Sequence, residues 1–285
     1  MTRLPALARR AEELLGCAVA ATAPVAGGDV STTTRLRLSD GGTALMKTLP
    51  HAPDDFFAAE ARGLVWLDEA GGVSVPEVLA VDKDCLILRW VEPGRNSPDA
   101  AADLGRALAA THAAGAPSYG LDRDGYIGRL PLPNRPADTW AEFFAVRRVL
   151  PYLRLARDRG AITDTDAAAV ERVVPRLAGL VPEEPPARLH GDLWNGNVLW
   201  GPDHRAWVID PAAHGGHRES DLAMLALFGL PHLPRVLDAY AEASPLADGW
   251  TERVALHQLF PLLVHACLFG GGYGARAAEA ARRYA

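Results

Sequence analysis

Apolar and polar positions along the chain change their period once, and that change divides the molecule. Leu4, Leu7, Ala8, Ala11, Leu14 and Leu15 recur at helical spacing over residues 3–15. Val19 to Val25 then reads as a strand, and Gly27-Gly28-Asp29 as a tight turn. Thr32, Thr34, Leu36 and Leu38 alternate with Thr33, Arg35 and Arg37, the period of a second strand. Ser39-Asp40-Gly41-Gly42 is a hairpin turn, and Thr43 to Leu49 returns as a third strand carrying Lys47. Pro53-Asp54-Asp55 signals a helix start, with the helix running from Phe56 to Ala70 and stopping at Gly71-Gly72. Val78 to Val81 and Leu86 to Trp90 are two more short strands, before Glu92-Pro93-Gly94 breaks the pattern.

Beyond that break the period becomes helical over residues 98–115, 138–159 and 163–180, and again over 219–229, 232–243, 250–269 and 274–284. Two short strand-like runs, Val198 to Trp200 and Ala206 to Ile209, interrupt it. The expectation is an α+β architecture of two lobes. A small β-rich lobe over residues 1–91 precedes a larger, mainly helical lobe over residues 92–285.

Composition sharpens this picture in two places. Of 29 lysines and arginines only Lys47 and Lys83 are lysine, and the only asparagines are Asn96, Asn134, Asn195 and Asn197. In a chain so biased, a lysine on a strand or a pair of asparagines in one loop points to a need for that side chain. Cys17, Cys85 and Cys267 are far apart and odd in number, which suits a reducing, cytoplasmic setting and argues against a zinc site. With a net charge of −6, the surface is not that of a nucleic-acid binder. No run of eighteen apolar residues is present, and the first residues lack a signal-peptide core, so no membrane association is expected.

The densest polar run is His190-Gly191-Asp192-Leu193-Trp194-Asn195-Gly196-Asn197, in a loop ahead of a short strand. Asn197 follows Asp192 by five residues, and Asp210 follows it by eighteen, at the end of the next strand pair. Those spacings meet the needs of phosphoryl transfer. An aspartate accepts the hydroxyl proton, while an Asn and a second Asp hold Mg2+ against the phosphates of ATP. Asp192 is therefore the candidate base, and Asn197 and Asp210 the candidate metal ligands. The competing reading, an Asp/Asn pair capping its own turn, explains neither Asp210 nor Lys47.

Lys47 offers a compact ammonium for phosphates, and Glu60, thirteen residues on, is placed to pair with it. Gly27 and Gly28 stand where backbone amides would cover phosphates. Arg89, Trp90 and Val91 stand where the lobes join and a chain segment can face adenine. Lys83, between Asp82 and Asp84, reads as a turn residue.

Read along the whole chain, these residues resemble the fructosamine/ketosamine 3-kinases, within the aminoglycoside-phosphotransferase-like branch of the protein-kinase-like fold. The loop at 190–197 carries the resemblance, with Asp210-Pro211-Ala212, Arg218-Glu219-Ser220-Asp221-Leu222-Ala223-Met224 and Leu268-Phe269-Gly270-Gly271-Gly272-Tyr273. Tyr126-Ile127-Gly128, Trp140, Phe143-Phe144 and His112 extend it. The chain departs from the family at Gly125, His214 and Arg89, where an asparagine, an aromatic and an acid are usual.

The resemblance implies ATP-dependent phosphorylation of the 3-hydroxyl of a ketosamine, free or on a glycated protein. The product is labile, which makes the reaction a deglycation step. A monomer or weak dimer is expected. Trp194 either stacks on the sugar or packs its loop, and the family tail brings His265, otherwise a core histidine, toward the acceptor; these two are the acceptor-binding candidates. Asp221, near a helix start, is read first as complementing the helix dipole, with a bond to the 190–192 backbone as its second role. Two other readings remain. One is a kinase of the same fold with an aminoglycoside, choline or another hydroxyl acceptor. The other is a nucleotide-holding module without turnover, against which the intact set Lys47, Glu60, Asp192, Asn197 and Asp210 speaks.

Overall fold

The computed structural model describes residues 6–26 and 30–285, so Gly27 and Gly28, proposed above as phosphate-covering residues, lie outside the described residues. Five antiparallel strands form the N-terminal sheet: β1 (Val19–Val25), β2 (Thr32–Leu38), β3 (Thr43–Thr48), β4 (Val78–Asp82) and β5 (Cys85–Arg89), in the order β1-β2-β3-β5-β4. Their period of two gives the sheet two different faces. Leu36, Leu38, Ala44, Met46 and Ile87 point to one side and bury Ala8 and Ala11 of α1 (Ala6–Leu15). Leu86 and Leu88 point to the other and meet Phe57, Leu64 and Leu67 of α2 (Phe56–Asp68). Each such fully buried side chain contributes roughly 1.5–3 kcal/mol. Lys47 pairs in register with Leu86, on the α2 side of β3. The alternation thus decides that the strand lysine faces α2 rather than solvent.

The helical lobe opens with α3 (Pro98–Ala113), capped by Ser97, whose side chain accepts from the Ala100 amide. A short hairpin follows, β6 (Gly125–Ile127) and β7 (Leu130–Leu132), which the sequence pattern did not reveal. The expected helix over 138–159 is one helical stretch over 140–158 with a widened centre. α4 (Trp140–Phe143) passes into a π-helical turn at Phe144–Val149 and then into α5 (Leu150–Asp158). Pro151 accounts for the widening, because it has no amide to give and its ring crowds the carbonyl four residues back. The Leu150 amide reaches Ala145 instead, five residues away.

The expected helix at 163–180 is cut the same way at Pro175 into α6 (Asp164–Val173), a tight turn and α7 (Leu177–Leu180). Three strand segments follow, β8 (Ala187–Leu189), β9 (Val198–Trp200) and β10 (Ala206–Val208), then β11 (His214–Gly216), which pairs with β8. The last helices are α8 (Glu219–Phe228), α9 (Leu233–Ala243), α10 (Trp250–His257), α11 (Leu259–Phe269) and α12 (Tyr273–Arg282). The expected single helix over 250–269 divides after His257, the residue whose carbonyl Pro261 would crowd. None of the described helices is long and apolar enough to cross a membrane.

One apolar cluster joins the two halves: Phe57, Leu64 and Leu86 pack with Leu104 and Leu108 of α3, Leu193 of the polar loop and Leu222 of α8. The polar loop is therefore anchored by a buried leucine in its middle.

Candidate active site

Lys47 is 6% exposed, and its Nζ lies 2.6 and 2.8 Å from the two oxygens of Glu60 and 2.9 Å from Oδ1 of Asp210. Three elements thus meet at one ammonium: β3, α2 and the turn after β10. Burial works against the charge on Lys47, but Glu60 and then Asp210 outweigh it and hold the lysine pKa above its ordinary value. Burial lifts the Glu60 carboxyl, and Lys47 opposes that lift.

The close approach of α2 depends on Gly63. A Cβ there would stand 3.2 Å from both the Pro211 ring and the Ala213 methyl. Asp210 has φ 55, in the left-handed region that aspartate adopts only where surrounding contacts hold it.

Asp192 and Asn197 are brought together by a short turn at Asn195–Asn197. The Asn197 Nδ2 donates to the Asp192 carbonyl at 2.8 Å and lies 3.3 Å from its Oδ2. Burial, reinforced by the Asp210 charge, pushes the Asp192 carboxyl up to about 7. A carboxyl in that range is suited to take up a proton near neutrality. The loop is tied to the strand before Asp210 at two points. The Ile209 amide donates to the Asn197 carbonyl at 3.0 Å, and His190 Nε2 is 2.9 Å from the Ile209 carbonyl. His190 Nδ1 accepts from the Asp192 amide at 3.3 Å, so Nε2 carries the proton. His190 is 1% exposed and is a structural histidine of the loop.

Asp221 does more than complement a helix end. Its carboxylate accepts from the amides of His190 at 2.8 Å and Gly191 at 2.9 Å. It also lies 3.2 Å from Nε2 of His112, whose Nδ1 is 2.8 Å from the Tyr240 hydroxyl. Burial alone would lift Asp221, but His112, His190 and the Gly191 amide hold it below its ordinary value. His112 entered the sequence reading only through the family resemblance, and Tyr240 gave no sequence signal. Asp221→Ala leaves two buried amides without an acceptor, each costing ~1–3 kcal/mol. The expected result is a lower unfolding midpoint, measured by thermal denaturation without nucleotide, and an unchanged midpoint would refute it.

The joining segment has fewer free amides than the sequence reading supposes. The Arg89 amide donates to Glu77 and the Trp90 amide to Thr43, at 2.8 and 3.1 Å, so both are spent inside the sheet. The Arg89 guanidinium turns to Glu77 at 3.0 Å, and Arg35 lies 4.6 Å over the Trp90 ring. All three of Arg89, Trp90 and Val91 border the cleft, but Arg89 and Trp90 cannot offer their amides to adenine. The helix-start signal before α2 also fails in detail: Asp55 makes no side-chain cap and pairs with Arg62 instead.

An aromatic wall borders the same cleft as Lys47. Trp194 folds over Gly196 and meets Phe228 edge-on with ring centres 5.6 Å apart. Phe228 lies 4.8 Å from His265, which in turn meets Phe269 at 5.5 Å and Tyr273 at 5.1 Å. His265 Nδ1 is 2.8 Å from the Pro261 carbonyl. Trp194 and His265 thus border the same cleft as Asp192, and Phe228 joins them without a sequence signal.

Among the described residues His217, Glu219 and His257 form a buried group with metal-like spacing. Glu219 already holds Arg253 through both oxygens, at 2.6 and 2.9 Å. That guanidinium supplies the positive charge a cation would otherwise bring.

A fructosamine kinase family profile matches residues 5–284. A protein named "probable ketoamine kinase" from Enterococcus faecium is 35% identical over 259 residues, covering 89% of this chain and 91% of that protein. A crystal structure assigned to fructosamine-3-kinase, from Thermobifida fusca, superposes with a TM-score of 0.94 at 53% identity, over 98% of both chains. A choline kinase from Streptococcus pneumoniae shares the fold alone, with a TM-score of 0.64 at 15% identity over 97% of this chain and 98% of that one. A sheet lobe facing a helical lobe is therefore the two-lobed, protein-kinase-like α+β fold, and with the profile spanning nearly every residue the chain belongs to the fructosamine kinase family of phosphotransferases.

Proposed function

We propose that this enzyme transfers the terminal phosphoryl group of ATP to the 3-hydroxyl of a ketosamine. The observation that carries the reading is the meeting of Lys47, Glu60 and Asp210 within 2.9 Å, in the same cleft as Asp192 and Asn197. Lys47, held by Glu60, grips the α- and β-phosphates. Asp192 accepts the proton of the attacking hydroxyl, and the bonds from Asn197 and Asp221 keep its loop fixed while it does so. Trp194 and His265 receive the acceptor along the aromatic wall.

The donor set suits a hard cation. Asn197 has committed its amide nitrogen to Asp192, which leaves its oxygen, and Asp210 has one oxygen beyond that bound to Lys47. Asn197 and Asp210 would hold Mg2+, which when bound neutralises phosphate charge. Val91, two residues past the end of β5, is the member of the joining segment best placed to face adenine, and it ends the N-terminal lobe in our division at residues 91 and 92.

An aminoglycoside acceptor is disfavoured. The residues of α8–α12 that border the cleft among those described are Phe228, Val264, His265, Leu268, Phe269 and Tyr273, with no acid to meet a polycation. One chain supplies the whole set, which is consistent with a monomer or weak dimer. The labile product makes deglycation of free or protein-bound ketosamines the role, and the free cysteines Cys17, Cys85 and Cys267 suit the cytoplasm. ATP consumption with fructosyl-, ribulosyl- and psicosyl-amines, against aminoglycosides and choline, tests the reading. Turnover is expected with ketosamines, with phosphate on the 3-hydroxyl by NMR. Turnover of an aminoglycoside or choline alone would overturn it.

A further inference from the structure

Glu60 is only as well placed as α2, and within α2 the start is tied only by the Asp55–Arg62 pair, with no side-chain cap. Asp55, at the cap position, has φ 66, and His51 just before it has φ 58. Non-glycine residues stay in this region where contacts from outside over-determine them. Asp55 spends its carboxylate on Arg62, at 2.9 and 2.5 Å, leaving the first helical amides without a side-chain cap.

From outside, an exposed Lys83 reaches Asp54 at 3.2 Å from the same lobe, and further support comes from the helical lobe, through the β6–β7 hairpin. The Tyr126 hydroxyl donates to the Asp54 carbonyl at 2.9 Å, and its ring lies 5.0 Å from that of Phe56. Arg129, at the hairpin turn, reaches the Val30 carbonyl at 3.5 Å. Phe56 and Glu60 are four residues apart on one helix and so share a face.

The hairpin is itself rigidly rooted. Tyr152 donates to the Pro131 carbonyl at 2.7 Å. Arg148, 1% exposed, donates to the Pro133 carbonyl and to Asn134 Oδ1, both at 2.6 Å. Its guanidinium sits 4.5 Å over the Phe143 ring. On its other side the hairpin touches α11: a Cβ on Gly128 would stand 3.0 Å from Leu268.

We infer that Tyr126 is a positioning residue for the phosphate clamp: the hairpin fixes the first turn of α2, and through it the seating of Glu60 against Lys47. This rests on the reading of Lys47 and Glu60 as that clamp. The test is a double-mutant cycle on steady-state kinetics with Tyr126→Phe, Tyr126→Ala, Glu60→Gln and the Tyr126→Ala/Glu60→Gln pair. Tyr126→Phe keeps the ring and loses one hydrogen bond, so the KM for ATP should rise roughly three- to tenfold. The KM for the acceptor should stay within about twofold, and Tyr126→Ala should be worse than Tyr126→Phe for ATP.

If Tyr126 acts through Glu60, most of the Tyr126→Ala effect disappears in the Glu60→Gln background, because contacts in one chain of support are not additive. Additive effects, or a lowered unfolding midpoint with an unchanged KM for ATP, would overturn the inference. A defective Glu60→Gln with normal Tyr126 variants removes the hairpin's role alone. A Glu60→Gln enzyme with ordinary ATP kinetics removes the clamp reading, and the inference with it.

Discussion

Asp192→Asn is expected to abolish turnover and leave ATP affinity close to that of the unaltered enzyme. The substitution removes the proton acceptor and no phosphate contact. Loss of a general base costs ~10²–10⁴ in rate. The loop should survive the change, because its main ties do not involve the carboxylate. Asn197 Nδ2 donates to the Asp192 carbonyl at 2.8 Å, and Asp221 holds the two preceding amides. Asparagine is also nearly the same size as aspartate. Turnover and nucleotide binding should therefore separate, with calorimetric ATP affinity retained and kcat lost. A variant with near-normal kcat would remove Asp192 from the role of base.

The second large effect is expected at Lys47, where Lys47→Arg should fail almost as badly as Lys47→Ala. Three carboxylate oxygens converge on Nζ between 2.6 and 2.9 Å, in a position 6% exposed. A planar guanidinium keeps the charge but cannot sit at the focus of three oxygens arranged around a point. Alanine leaves the largely buried Glu60 facing Asp210 with no cation between them. Breaking a buried pair by removing one partner costs about 3–5 kcal/mol. That cost falls on stability; in catalysis both variants should lose roughly ten- to a hundredfold in kcat/KM for ATP, the worth of a lost contact between charged groups. Glu60→Gln should be milder, since Asp210 and the phosphates still attract the lysine. The arginine variant decides the matter, because this chain uses arginine at nearly every other basic position. Near-normal kcat/KM in Lys47→Arg would show that some other group meets the phosphates.

Much of this site was legible beforehand, for reasons that can be named. Lys47 stood out because an arginine-rich chain kept a lysine on a strand, and alternation placed it on the face toward α2. Asp192, Asn197 and Asp210 stood out because a loop, a strand pair and a second acid at those offsets have few other uses. Phe228 gave no such sign, since an aromatic residue that borders a cleft looks, in sequence, like one that fills a core, and Tyr126 entered only through the family resemblance. The broken helices at 163–180 and 250–269 were marked by Pro175 and Pro261, whose missing amide and crowding ring outweigh an apolar period.

By itself the sequence determined the order of the N-terminal strands and the main helices, the faces of the strands and the residue types able to carry phosphoryl transfer. These are local properties, set by the pleat, the helical period and the chemistry of single side chains. Tertiary structure alone decided which groups remained available. Arg89 and Trp90 read as a segment open to adenine, yet their amides are consumed by Glu77 and Thr43. Pro53-Asp54-Asp55 read as a helix start, yet Arg62 takes the Asp55 carboxylate and Tyr126 holds the turn from the other lobe. Asp221 read first as a helix-end acid, yet two loop amides and His112 converge on it. A hydrogen-bonding group serves whichever partner packing brings nearest, and partners 163 positions apart, like Lys47 and Asp210, meet only when both lobes are packed around one core.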